Sequence, residues 1–245
     1  ATRYVRSATV MSHLRACKDA AEIAALQAAG AAADRVAAQL QAGQIPLAGR
    51  TEAQVSADLS ARLLAEGHDV VNFAIVAAGE NAASPHHHPG DRVIRDGEIV
   101  LCDFGGTMAG YCSDITRCVY LGTPPADVAE AYAVLHDAQA AGVAAGVVGA
   151  ECQAVDRASR SVIAAAGFGE YFIHRTGHGI GMEAHEDPYM VEGNTAAIAA
   201  GNAFSVEPGI YVAGKWGMRL EDIVVATADG PLSMNAADHA LVTLG

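Results

Sequence analysis

The chain has 245 residues, of which 51% are hydrophobic, so it is long enough for one large domain or two small ones around a sizeable core. Only 18% are charged and the net charge is −13, a balance that argues against nucleic acid or an anionic membrane as the main partner and serves solubility. The five cysteines (Cys17, Cys102, Cys112, Cys118 and Cys152) include no C-x-x-C spacing. They read as reduced thiols of a cytoplasmic chain, packed as small apolar side chains, although Cys112 shares a strand face with Asp114 and could serve a metal or a redox step. No apolar run reaches the ~18 residues of a membrane span, and the first six residues show no apolar stretch followed by a cleavage site.

Residues 1–17 carry no clear pattern. Residues 18–41 are Ala-rich, with Ile23, Leu26, Ala33, Val36 and Leu40 near one face, which predicts a helix stopped by Gly43. Thr51 with Gln54 three residues later forms a capping box. It opens a second helix through Leu59, Leu63 and Leu64, closed by Gly67. Val70–Ala78 is β-rich. A loop over 79–91 holds Ser84-Pro85-His86-His87-His88-Pro89. Residues 99–118 read as a hairpin about a Gly-rich turn, extended to Leu121. After a break at 122–125, helices are predicted over Ala126–Ala145 and 151–166, the latter ended by Gly167. Residues 171–174 form a short β-like run into a Gly-rich loop, and strands close the chain over 203–212 and 218–225. The order helix, helix, strand, strand pair thus occurs twice. It predicts an α+β fold of two similar halves, with helices outside a curved antiparallel sheet and a central cleft between them.

The chemistry collects in three places. Asp103 and Asp114 are equidistant from the middle of the first hairpin, so a regular register puts them opposite each other, with Cβ atoms roughly 4.5–5.5 Å apart. Two like charges so placed need a shared proton or a bound cation. Glu207 and Glu221 are likewise symmetric about Gly214. Between the two carboxylate pairs lies His174-Arg175-Thr176-Gly177-His178-Gly179-Ile180-Gly181-Met182-Glu183-Ala184-His185-Glu186, where glycines let backbone come close to a ligand. Four carboxylates and one histidine are too anionic for one divalent ion and suit two with bridging carboxylates. Such a pair, roughly 3.5–4 Å apart, activates water and polarises a carbonyl. The oxygen-rich set favours Mn²⁺, with Co²⁺, Fe²⁺ or Zn²⁺ acceptable.

These motifs resemble those of the pita-bread metallopeptidases: methionine aminopeptidases, Xaa-Pro aminopeptidases and Xaa-Pro dipeptidases (prolidases). The likeness runs from about Leu14 to about Val225. It rests on Asp103 with Asp114 ahead of Ile115-Thr116-Arg117, on Gly177-His178-Gly179-Ile180-Gly181 with His185-Glu186 after it, on Glu207-Pro208-Gly209, and on Arg219-Leu220-Glu221-Asp222. The resemblance implies that Asp103 chelates one metal ion, that Asp114 and Glu221 bridge both, and that His178 and Glu207 bind the other. It makes Glu207 the acceptor of a proton from the attacking water and His185 the partner of the substrate carbonyl. His174 lines the site, and Arg219 supports the metal-binding carboxylates.

Asn81-Ala82-Ala83-Ser84-Pro85-His86 looks like the Pro-His signature of the proline-specific members, with His86 contacting substrate. His87 and His88 read as exposed loop residues, or else as an adventitious metal patch. The resemblance therefore implies a cytoplasmic dinuclear hydrolase of Xaa-Pro dipeptides. Xaa-Pro or methionine aminopeptidase is the alternative within the class, and a creatinase-like or protein-binding member the alternative outside it. The segment from Leu14 to Ile23 resembles the linker that precedes the catalytic domain in prolidase-type proteins. Residues 1–17 then read as a linker remnant and residues 18–245 as the catalytic domain, without the separate N-terminal domain of those relatives. The expected partners are a small peptide and a second copy of the chain as a homodimer, with no nucleic acid and no membrane.

Overall fold

A computed structural model describes Tyr4 and residues 7–245, with backbone alone at 7–10 and 13. The reading that the first six residues show no apolar stretch before a cleavage site lies, Tyr4 apart, outside the described residues. The remainder of the patternless segment is a helix, α1 (Ser7–Ala16). Helix α2 (Ala20–Gln41) starts at a capping box that the periodicity does not reveal. Asp19 accepts from the backbone of Ala21 and Glu22, and Glu22 reaches back to the Asp19 amide. Helix α3 (Glu52–Ala65) begins on the expected Thr51–Gln54 box. Four strands follow: β1 (Val70–Ala78), β2 (Ile99–Met108), β3 (Tyr111–Cys112) and β4 (Ile115–Leu121). Val36, Leu40, Leu59 and Leu63 of the two helices bury against Val76, Val100, Phe104 and Val119 of this sheet.

The second half repeats the helix pair with α4 (Ala126–Ala145) and α5 (Cys152–Ala165). Its strands are β5 (Gly177–Gly179), β6 (Glu186–Met190), β7 (Ala203–Val206), β8 (Gly209–Val212), β9 (Trp216–Arg219), β10 (Asp222–Thr227), β11 (Gly230–Ser233) and β12 (Val242–Leu244). Residues 171–174 are not a strand. A 3₁₀ turn at Gly169–Tyr171 leads into irregular chain, because Arg160 of α5 donates to the carbonyls of Phe172 and His174 that a ladder would otherwise use.

The strands form one sheet in the order β1-β2-β4-β12 with β3 beside β2, a second in the order β11-β10-β7-β5-β6, and a ribbon of β8 and β9. The curved sheet is therefore built in pieces, which an isolated bridge between Thr116 and Glu221 joins at the centre. Buried Arg117 fastens the chain end to that junction. Its guanidinium donates to the carbonyls of Glu221, Ala237 and Asp238 and to the Asp222 carboxylate.

Register decides where the carboxylates point. Glu207 and Glu221 are level, as the symmetry about Gly214 predicts: Val206 pairs with Asp222 on one side and Gly209 with Arg219 on the other. The first hairpin differs from expectation. Asp103 pairs with Thr116, and Thr107 pairs with Cys112 across a turn at Ala109–Gly110. Asp114 consequently stands level with Gly105, and it is the diagonal neighbour of Asp103 rather than its opposite. Of the glycines in the Gly-rich segment 104–110, Gly110 lies in the turn, whereas Gly105 and Gly106 lie inside β2. A Cβ on either would collide with a backbone carbonyl, that of Ser113 or of Val70.

Candidate metal centre

The strand ends converge on one cavity of about 520 Å³. Asp103 projects from β2, Asp114 from the link before β4, His178 from β5, Glu207 from the end of β7 and Glu221 from the join of β9 and β10; all five line it. One ligand atom each from Asp114, His178 and Glu221 lie within 4.8 Å of one another. His178 Nε2 is 3.3 Å from Glu207 Oε1 and 3.7 Å from Asp114 Oδ2. Asp103 stands apart from this group, since Arg219 donates to its Oδ2.

Two observations test whether a cation fits. Asp103 Oδ1 and Asp114 Oδ1 are buried without a hydrogen-bond partner among the described residues. Each such group costs on the order of 1–3 kcal/mol unless something positive faces it. The donor set is also suitable: hard carboxylate oxygens plus one neutral imidazole. Burial and the negative charge of Glu221, Asp103 and Glu207 push Asp114 well above the usual carboxylate range. Burial and the charges of Glu207 and Asp103 do the same to Glu221. Burial, opposed by Arg219, leaves Glu207 raised to about 7. Protons hold this cluster together when cations do not.

The surrounding groups fix orientation. Burial, helped by the neighbouring His185, pushes His178 down to about 3. Its Nδ1 lies 3.1 Å from the Gly179 carbonyl, which can only accept. The proton therefore sits on Nδ1, and Nε2 offers a lone pair to the carboxylates. Ser205 Oγ accepts from the His178 amide and donates to Glu207. Thr116 Oγ1 donates to Glu221 Oε2 at 2.6 Å and accepts from Arg219 Nε at 3.1 Å. Arg219 also donates to the Tyr211 hydroxyl, which donates to His174 Nε2, while His174 Nδ1 donates to the Arg175 carbonyl. Burial and the charge of Arg219 push His174 down to about 3. Thr116, Ser205 and Tyr211 escape a reading of the sequence, because their partners come from crossing strands.

The substrate-side histidines are gathered as well. The His185 ring stands 4.0 Å from that of His178, and burial lowers its pKa. His86, His87 and His88 all line the same cavity. His88 is exposed as expected, but His87 is not a free loop residue. Its Nε2 is 2.7 Å from the carboxylate of fully buried Glu52, which also accepts from the Ala78 amide and from Asn81. Arg219 donates to the Pro85 carbonyl, so the His86 loop is tied at two points. Cys112 lies among Leu26, Ile180 and Ile223 with burial raising its pKa, and it does not line the cavity.

The sequence pattern of metallopeptidase family M24 matches residues 23–228. The probable dipeptidase PepE of Mycobacterium tuberculosis is 48% identical over 241 residues, which are 98% of this chain and 64% of that protein. The Xaa-Pro dipeptidase of Lactobacillus delbrueckii subsp. lactis is 41% identical over 223 residues, 90% of this chain and 60% of the relative. The crystal structure of dipeptidase PepE from Mycobacterium ulcerans matches with a TM-score of 0.94 at 50% identity, covering 98% of this chain and 65% of the other. The chain therefore spans a little under two thirds of the length of these relatives. Its architecture is the pita-bread fold.

Proposed function

The chain belongs to metallopeptidase family M24, and from that membership we propose that it hydrolyses the peptide bond preceding proline in Xaa-Pro dipeptides. Two divalent cations, Mn²⁺ first and Co²⁺, Fe²⁺ or Zn²⁺ after it, are held by Asp103, Asp114, His178, Glu207 and Glu221. The observation that carries this reading is the pair of orphaned carboxylate oxygens beside the Asp114–His178–Glu221 cluster in the one cavity. When bound, such cations lower the pKa of water and polarise a carbonyl.

The chain's own groups do the rest. Glu207 takes a proton from the attacking water and returns it to the leaving amine. His185 donates to the substrate carbonyl oxygen, and His86 meets the proline side of the substrate. An Xaa-Pro amide is tertiary and offers no N–H, so recognition has to come from a shaped pocket rather than a backbone ladder. His174, held neutral by burial and the charge of Arg219 and oriented by Tyr211 and the Arg175 carbonyl, forms part of its wall. Arg219 keeps Asp103 and Thr116 in place. A cytoplasmic homodimer belongs to the same reading.

The test is hydrolysis by metal-reconstituted protein of Xaa-Pro dipeptides, Xaa-Pro-Xaa tripeptides, Met-initiated peptides and creatine. The expected outcome is metal-dependent turnover, fastest on Xaa-Pro dipeptides. Faster turnover of the tripeptides would move the assignment to an aminopeptidase, and turnover of creatine alone would overturn it.

A further inference from the structure

His86 lines the cavity, yet its ring is exposed and makes no hydrogen bond with any described residue. Its place is therefore set by its neighbours. Pro85 and His86 are the central residues of a turn that the His87 amide closes on the Ser84 carbonyl at 3.2 Å. One backbone bond in a surface loop is a weak restraint. The stronger one comes from Glu52, a fully buried carboxylate in the first turn of α3. Its Oε1 accepts from the Ala78 amide at 2.9 Å and from Asn81 at 3.1 Å, on the incoming leg of the loop. Its Oε2 accepts from Asn81 at 3.1 Å and from His87 Nε2 at 2.7 Å, on the outgoing leg. The same helix end holds the chain beyond, since the amides of Glu52 and Ala53 donate to the carbonyls of Arg92 and Gly90. One side chain thus clasps both legs of the His86 turn.

Burying a carboxylate opposes folding unless donors surround it, and an apolar side chain would fill the same space without that penalty. A fully satisfied polar network gives something an apolar contact does not, a single arrangement of the groups that form it. We propose that Glu52 and His87 are positioning residues, which hold the His86 ring at the proline side of the substrate and act on turnover only through it. The inference rests on the peptidase reading, in which His86 meets the substrate. His87 lines the same cavity, so the test has to separate positioning of His86 from contact with the substrate.

A double-mutant cycle of His86→Ala and His87→Ala does so, with Mn²⁺-loaded protein, Ala-Pro as substrate and elemental analysis of bound metal. His87→Ala should lower kcat/KM roughly ten- to hundred-fold, the scale of a displacement of about 1 Å, with metal content unchanged. His87→Gln can still donate to Glu52 and should recover most of the loss. In the His86→Ala background, His87→Ala should have little further effect, as residues acting through one another are not additive. Glu52→Leu should reproduce the loss of His87→Ala, and should it fail to fold, the His87 variants decide alone. The ¹H–¹³C signal of the His86 ring, identified by its absence from His86→Ala, reads position without turnover. It should shift in His87→Ala and return in His87→Gln. Additive losses would place His87 against the substrate and overturn the proposal. So would wild-type kcat/KM in His87→Ala, loss of metal from it, or an unmoved His86 signal. A wild type that hydrolyses no Xaa-Pro peptide sinks the peptidase reading, and the ring signal then still decides whether the clasp holds His86.

Discussion

Glu207 is the residue whose environment does most to set the proposed chemistry. Burial leaves it raised to about 7 in the metal-free protein, and burial together with the neighbouring carboxylates raises Asp114 and Glu221 well above the usual carboxylate range. Glu207→Gln keeps the shape and removes the proton acceptor. It should lower kcat roughly 10²–10⁴-fold with an unchanged far-UV spectrum, and a loss under tenfold would discard Glu207 as the base. His87 carries a different kind of prediction. His87→Ala takes one partner from the buried Glu52 carboxylate and should cost on the order of 1–3 kcal/mol in urea unfolding. A change within error would mean that the contact contributes nothing. Legibility at this scale follows the distance to the partner. The five proposed ligands and His185 sit in recognisable motifs, and all of them line the cavity. His87 was misread because its partner lies 35 positions away in sequence, on a helix with no apparent link to the loop.

Among the elements, those with local signals were legible: β1 and α4 have the expected bounds, and α3 starts on its capping box. The failures came where tertiary neighbours overrode local cues. Gly105 and Gly106 read as turn residues, yet they are bare because the Ser113 and Val70 carbonyls press on β2. That displaced the turn and with it the position of Asp114. Gly105→Ala should therefore push the Ser113–Asp114 link away from β2. The expected result is a protein that folds with weakened Mn²⁺ binding, read by titration with elemental analysis. Wild-type metal affinity in this variant would mean that the close approach does not position Asp114. Lys18 offers a second test. It is buried against Glu186, the residue after His185. Arg15 also pairs with Glu186, so Lys18→Met should destabilise by about 1–3 kcal/mol. Unfolding at the wild-type urea midpoint would count against that estimate.

Over the molecule as a whole, the buried charges make stability a function of pH and metal together. A carboxyl raised from 4.5 to about 7, as Glu207 is, contributes stability that is complete below pH 4.5 and lost as pH rises through 7. Asp114 and Glu221, raised well above the usual carboxylate range, act in the same sense. His174 and His178, lowered to about 3, act in the opposite sense: stability present above pH 6.5 is lost as pH falls towards 3. Metal-free protein should therefore lose Tm as pH rises from 6.5 through 7, and saturating Mn²⁺ should flatten that slope. Scanning calorimetry with and without chelator checks it, and parallel curves would show that cations do not neutralise these groups. The two-half plan was legible from the repeated order of elements. The division of the sheet was not, since strand partners across the halves leave no local trace. The Arg117 anchorage of the chain end has a practical corollary. Proteolytic trimming that removes Ala237 and Asp238 would strand a guanidinium with two of its acceptors gone, directly behind Glu221. Clipped material should thus fail at the catalytic centre, some distance from the cut.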